Sequence, residues 1–103
     1  MDNEQFILIK IAEEAAEVSK RALKAAQFGL DEIQEGQKLN NCERLIGEMD
    51  DLYSMFYALG VWVPPDHHVV TAKLHKVQNY LGHSVGLGKV PKVVLDDWLP
   101  DSY

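Results

Sequence analysis

Cysteine is almost absent. Cys42 is the only one in 103 residues, so neither an intrachain disulfide nor a zinc site built on several thiolates is available. Positive charge is scarce too: 10 Lys and Arg stand against 16 Asp and Glu, for a net charge of −6. Such a surface has little with which to displace counterions from a phosphate backbone, and nucleic acid is excluded as an expected partner. A small phosphorylated ligand stays open if divalent cations supply the missing charge. No apolar run approaches the ~18 residues of a membrane span, and residues 1–6 (MDNEQF) carry acids where a signal peptide carries a basic region. A reducing, cytoplasmic setting without membrane contact is therefore expected. Proline does not occur before Pro64, and the first 59 residues hold only Gly29, Gly36 and Gly47, which leaves long stretches free of helix breakers.

What is present fits a globular domain: 47% hydrophobic and 25% charged residues argue against disorder. Residues 2–28 predict one long helix, rich in Ala, Glu, Lys and Leu and stopped by Gly29. At about 100° per residue, Ile7, Ile11, Ala15, Val18, Ala22 and Ala26 fall on a broad apolar face. Glu13, Glu17, Lys20, Arg21 and Lys24 fall on the opposite, solvated side. A second helix is expected over residues 41–59, capped by Asn40 or Asn41, with Leu45, Met49, Leu52, Phe56 and Leu59 as its stripe. Pro64 and Pro65 open a third over residues 66–81, with Val69, Val70, Leu74, Val77 and Leu81 apolar and Gly82 as its end. No credible strand pair appears, so the expected fold is all-α. Residues 1–83 form its helical part, and residues 84–103 an irregular tail belonging to the same domain or to a subunit interface. Three helices with apolar faces this wide are too few for a closed four-helix core, so a homodimer or homotetramer is expected to complete one.

Two acidic clusters carry the chemistry: Glu13-Glu14-Ala15-Ala16-Glu17 and Glu48-Met49-Asp50-Asp51. Glu14 with Glu17, and Glu48 with Asp51, stand three residues apart, which on a helix brings their Cβ atoms to about 5–6 Å. Like charges so placed repel unless a cation compensates, and hard oxygen ligands suit Mg²⁺, or Mn²⁺, over zinc or copper. Glu48 borders Leu45 and Leu52, and Glu14 borders Ile7 and Val18, whereas Glu17 has polar neighbours. Antiparallel packing of the two helices would gather all four carboxylates into one partly buried pocket. A single such motif is more often an ordinary solvated face; two on separate helices carry more weight.

The run Glu13-Glu14-Ala15-Ala16-Glu17-Val18, followed by Gly47-Glu48-Met49-Asp50-Asp51-Leu52-Tyr53, resembles the MazG-like all-α NTP pyrophosphohydrolases, with EExxE on one helix and ExxD on a later one. The likeness covers residues 5–60 and extends loosely to the third helix. It departs from the family pattern at Gly47, where many relatives carry Glu, and at Ala16, often Gly. The resemblance implies Mg²⁺ bound by Glu14, Glu17, Glu48 and Asp51. It also implies a nucleoside triphosphate, expected to be a deoxynucleotide, cleaved to monophosphate and pyrophosphate in nucleotide-pool control. In such a reaction a metal-bound water attacks the α-phosphorus and Glu17 or Glu13 accepts its proton. Lys76 and Asn79, three apart on the third helix, are the expected substrate contacts.

Other signals are weaker. Residues 82–90 (GHSVGLGKV) superficially resemble a P-loop, but the glycine spacing is one residue too long, Val90 stands where Ser or Thr should, and the run follows a helix; a turn is expected. His67, His68, His75 and His83 lack ligand spacing. Tyr53, Phe56, Tyr57 and Trp62 read as core or interface sooner than as a base-stacking wall. Nothing beside Cys42 in sequence activates it, and Trp98 and Leu99 are candidates for capping a neighbouring subunit. The rival to an enzyme is an acidic helical interaction module that forms a homo-oligomer.

Overall fold

Local sequence defines each helix end. In the computed structural model, which describes residues 1–61 and 64–88, α1 spans Asn3–Phe28, α2 Asn41–Leu59 and α3 His67–Gly86. Asp2 caps α1 and Asn40 caps α2, each in a capping box: the Asp2 side chain accepts from the Gln5 amide at 2.8 Å, and Asn40 from the Glu43 amide at 2.8 Å. The Gln5 and Glu43 side chains accept the N-cap amides in return. Asp66 caps α3, accepting from the amides of His68 and Val69. Gly29 and Gly60 follow the last residues of α1 and α2 with φ of 97° and 81°, values that a side chain would strain. The described residues are all-α, and no described helix is long and apolar enough to cross a membrane.

The chain divides into two compact units, the first ending at Val63 and the second beginning at Pro64. In the first, α1 packs on α2 as a helical hairpin. The 29–40 connection is held by backbone bonds from the Asn41 amide to the Glu32 carbonyl and from the Cys42 amide to the Leu30 carbonyl. Asn41, fully buried, clamps it further: its Nδ2 donates to the Gly29 carbonyl at 2.8 Å and to Glu32 Oε1 at 3.2 Å. Arg44 Nη1 donates to Gln34 Oε1. The end of α1 is thus tied to the start of α2, and the helices run antiparallel.

The buried or half-buried positions of α1 include Ile7, Ile11, Glu14, Val18, Arg21 and Ala25, a repeat of four and three residues typical of a helix–helix seam. On α2 they include Asn41, Leu45, Glu48, Leu52, Phe56 and Leu59. This corrects the expected faces: Met49, expected in the α2 stripe, is exposed, and α1 differs in two respects. Ala15, Ala22 and Ala26 are exposed, and Arg21, expected on the solvated side, is buried. The extended Glu–Lys ladder is not formed either; among the described residues the one ion pair is Lys10–Glu13 at 2.9 Å. Gly47 sits mid-helix on α2 with open space where a Cβ would stand. Gly47→Ala is therefore expected to stabilise the protein by about 0.5–1 kcal/mol through helix propensity alone, measured as a higher urea midpoint with unchanged slope.

In the second unit α3 continues through Gly82, the expected stop, to Gly86. Glycine costs a helix only about 1 kcal/mol relative to Ala, and it ends one reliably where the chain turns left-handed. That happens at Gly88, with φ 73°, after Leu87 closes the helix. The expected boundary between residues 83 and 84 therefore falls inside α3, and residues 82–86 of the segment that resembles a P-loop are helical. The less exposed side of α3 includes Thr71, Leu74, Val77, Leu81 and Val85, whereas Val69 and Val70 are exposed. Trp62 and the tail residues Trp98 and Leu99 lie outside the described residues.

Candidate metal centre

The seam of the hairpin carries acids where apolar side chains would ordinarily sit. Glu14 occupies the α1 position between Ile11 and Val18, and Glu48 the α2 position between Leu45 and Leu52; both are half-buried, while Asp51, one turn beyond Glu48, is exposed. Each of Glu14, Glu48 and Asp51 offers a carboxylate oxygen, and these oxygens lie within 4.8 Å of one another. A Mg²⁺ ion with oxygens at about 2.1 Å places neighbouring ligands about 3.0 Å apart and opposite ones about 4.2 Å apart, so the three carboxylates would draw together by side-chain rotation to share its shell. The donor set is all carboxylate, half-buried at Glu14 and Glu48 and exposed at Asp51, and drawn from two helices, the usual construction of carboxylate metal sites in helical bundles.

Glu17 does not join this group. It lies about 60° around α1 from Glu14, on the exposed side, and among the described residues it has no hydrogen bond or ion pair. Glu13 is exposed as well, but its Oε2 accepts from Lys10 Nζ at 2.9 Å. That hydrogen bond, together with the charge of Glu13, raises the Lys10 amine above its ordinary pKa. Lys76 and Asn79 occupy exposed positions of α3, in the second unit. On the outer side of α2, Asp50, Tyr53, Ser54 and Tyr57 line a shallow open groove.

Two residues escaped the sequence reading. Its place in the sequence marks Asn41 only as a candidate helix cap, yet it is the most buried side chain described. Charge spacing sets Arg21 in a surface ladder, yet it is 8% exposed, and its Nε is sealed from solvent without a hydrogen-bond partner. The signal for Arg21 was available: continuing the spacing of Ile7, Ile11, Glu14 and Val18 lands on Arg21 and Ala25.

No family model matches this chain, and neither curated proteins nor solved structures returned a match. The described residues define an all-α class, its first unit an antiparallel hairpin with an acidic cluster in its seam.

Proposed function

We propose that the protein is a Mg²⁺-dependent nucleoside triphosphate pyrophosphohydrolase, cleaving a nucleoside or deoxynucleoside triphosphate to monophosphate and pyrophosphate. The observation that supports this best is the approach of Glu14, Glu48 and Asp51 within 4.8 Å across two helices, in the order and spacing that resemble the MazG-like motifs. Glu14, Glu48 and Asp51 would hold the ion, or Mn²⁺ in its place. Bound there, it supplies charge neutralisation for the polyphosphate and a water of lowered pKa. Glu17 is the base in this reading. It stands one turn from Glu14 with its carboxylate unengaged, whereas Glu13 is committed to Lys10. Glu17 takes the proton of the water that attacks the α-phosphorus, the bond from that phosphorus to the α,β-bridging oxygen breaks, and pyrophosphate leaves with the electron pair.

The same reading has a second copy of the chain completing a four-helix core. Ile46, Tyr53 and Tyr57 on α2, and Phe6, Ile9 and Leu23 on α1, are exposed at 43–76%, and a two-helix unit cannot bury both sides of its helices. A panel of NTPs and dNTPs with Mg²⁺ tests the reaction, with release of pyrophosphate expected and release of orthophosphate refuting it. Mg²⁺ with a non-hydrolysable triphosphate should raise the melting temperature, by about 2.7 kcal/mol of added stability at a hundredfold excess over Kd. An acidic interaction module would show neither effect. Sedimentation of the same sample should give a dimer or tetramer mass.

A further inference from the structure

We infer that Arg21 is the anion-holding residue of this site, its guanidinium receiving the polyphosphate oxygens of the nucleotide; the inference rests on the metal-dependent reading above. Arg21 is 92% buried by its 8% exposure, and Nε has no hydrogen-bond partner. The described residues hold 13 of the chain's 16 acids, and Glu17 stands one turn before Arg21 on the same helix, yet none of these 13 carboxylates pairs with it. A guanidinium cannot shed its proton to escape burial. An Nε–H sealed from water without an acceptor costs stability, and well-packed apolar replacements of such a side chain are often better. This arrangement is accounted for when the matching anion comes from outside the chain.

Its position fits that ligand. Arg21 lies seven residues after Glu14, about 20° from it around α1 and about 10.5 Å along the axis. Helical side chains lean toward the N-terminus of their helix, so the Arg21 stem runs back along the seam toward the level of Glu14. Only Nε is sealed without a partner; neither Nη is. The planar fork thus keeps an edge available, and such a fork binds two phosphate oxygens at once. Carboxylates for the cation at one level of the seam, and a fixed cation two turns along it, form a two-point clamp for a metal–polyphosphate chain.

The test uses the full chain with Arg21→Met, which keeps the apolar stem without the charge, and Arg21→Lys, which keeps the charge without the fork. Thermal shifts are read with Mg²⁺ alone, with Mg²⁺ and tripolyphosphate, with tripolyphosphate alone, and with Mg²⁺ and a non-hydrolysable nucleoside triphosphate, alongside steady-state kinetics. Arg21→Met is expected to raise KM about 10- to 100-fold, the range of a hydrogen bond to a charged group, with kcat within a few-fold and the Mg²⁺-only shift unchanged. Its ligand-free melting temperature should equal or exceed that of the wild type, and Arg21→Lys should recover part of the KM. Wild-type KM and tripolyphosphate shift in Arg21→Met overturn the inference while leaving the metal reading intact. A joint loss of the Mg²⁺ and tripolyphosphate shifts overturns it as well, because the residue is then structural. A wild type without a Mg²⁺ shift or hydrolysis defeats the metal reading instead. In that case a tripolyphosphate-only shift lost in Arg21→Met still supports the anion site, and no such shift refutes it. A shift with the nucleotide analogue but none with tripolyphosphate places recognition elsewhere on the nucleotide and also refutes it.

Discussion

Glu48→Ala is expected to abolish pyrophosphate release, a loss of at least about 100-fold, since removing even an outer partner of a metal ligand typically costs 10–100-fold. The reason lies in the seam. Glu48 is half-buried between Leu45 and Leu52, and it is the α2 member of the cluster that lies deepest, with Asp51 the outer one. Without it, Glu14 faces a single exposed carboxylate across the hairpin. The fold should not suffer. Like charges no more than 4.8 Å apart repel by roughly 1 kcal/mol even in a water-like dielectric, so the metal-free variant should melt at the same temperature as the wild type or slightly higher. Far-UV circular dichroism should show unchanged helix content, and Mg²⁺ should no longer raise the melting temperature. Glu48→Gln, which keeps the shape, should behave like the Ala variant. Full pyrophosphate release by pure Glu48→Ala would sink the assignment of the metal centre.

The largest loss of stability is expected at Asn41. Its Nδ2 bonds to Gly29 and Glu32 are worth about 1 kcal/mol each, and truncation leaves the Gly29 carbonyl with only the long 3.4 Å bond from the Glu32 amide at a part-buried site. The side chain is fully buried, so Ala also leaves a cavity that the connection must collapse to fill. One term acts in the other direction: Asn41 Oδ1 is itself buried without a partner, and removing it recovers about 1 kcal/mol. The losses win, for a net destabilisation of about 2–3 kcal/mol. At 4–8 °C per kcal/mol for a domain this small, Asn41→Ala should melt more than about 8 °C below the wild type. Because Asn41 ties the start of α2 to the end of α1, the variant should also bind Mg²⁺ less tightly. A melting temperature within 2 °C or so of the wild type would show that the clamp does not set the hairpin.

The helices were legible because their signals are local. Asn40 with Glu43 is a capping box whichever way α2 is turned, and α2 runs over Asn41–Leu59 as its stripe predicts. The spacing of Glu48 to Asp51 is likewise a property of one helix. Gly82 misled because a glycine marks a stop only where the backbone turns left-handed, which is decided by the residues after it. Arg21 misled for a different reason. An Ala-rich helix offers more than one apolar stripe, and the stripe through Ala15, Ala22 and Ala26 looks the more hydrophobic in isolation.

Sequence alone therefore settled the helical class, the stop of α1 at Gly29, the start of α2 at Asn40 or Asn41, and the pairing of acids within each helix, since hydrogen bonds and side-chain spacing over three or four residues need no distant partner. Tertiary structure decided which stripe of α1 meets α2. That rotation brought Glu14 to Glu48 and Asp51, left Glu17 outside, and buried Arg21 instead of the alanines. The choice depends on packing across the hairpin and on the clamp at Asn41, contacts between residues far apart in the chain, which helical periodicity does not encode.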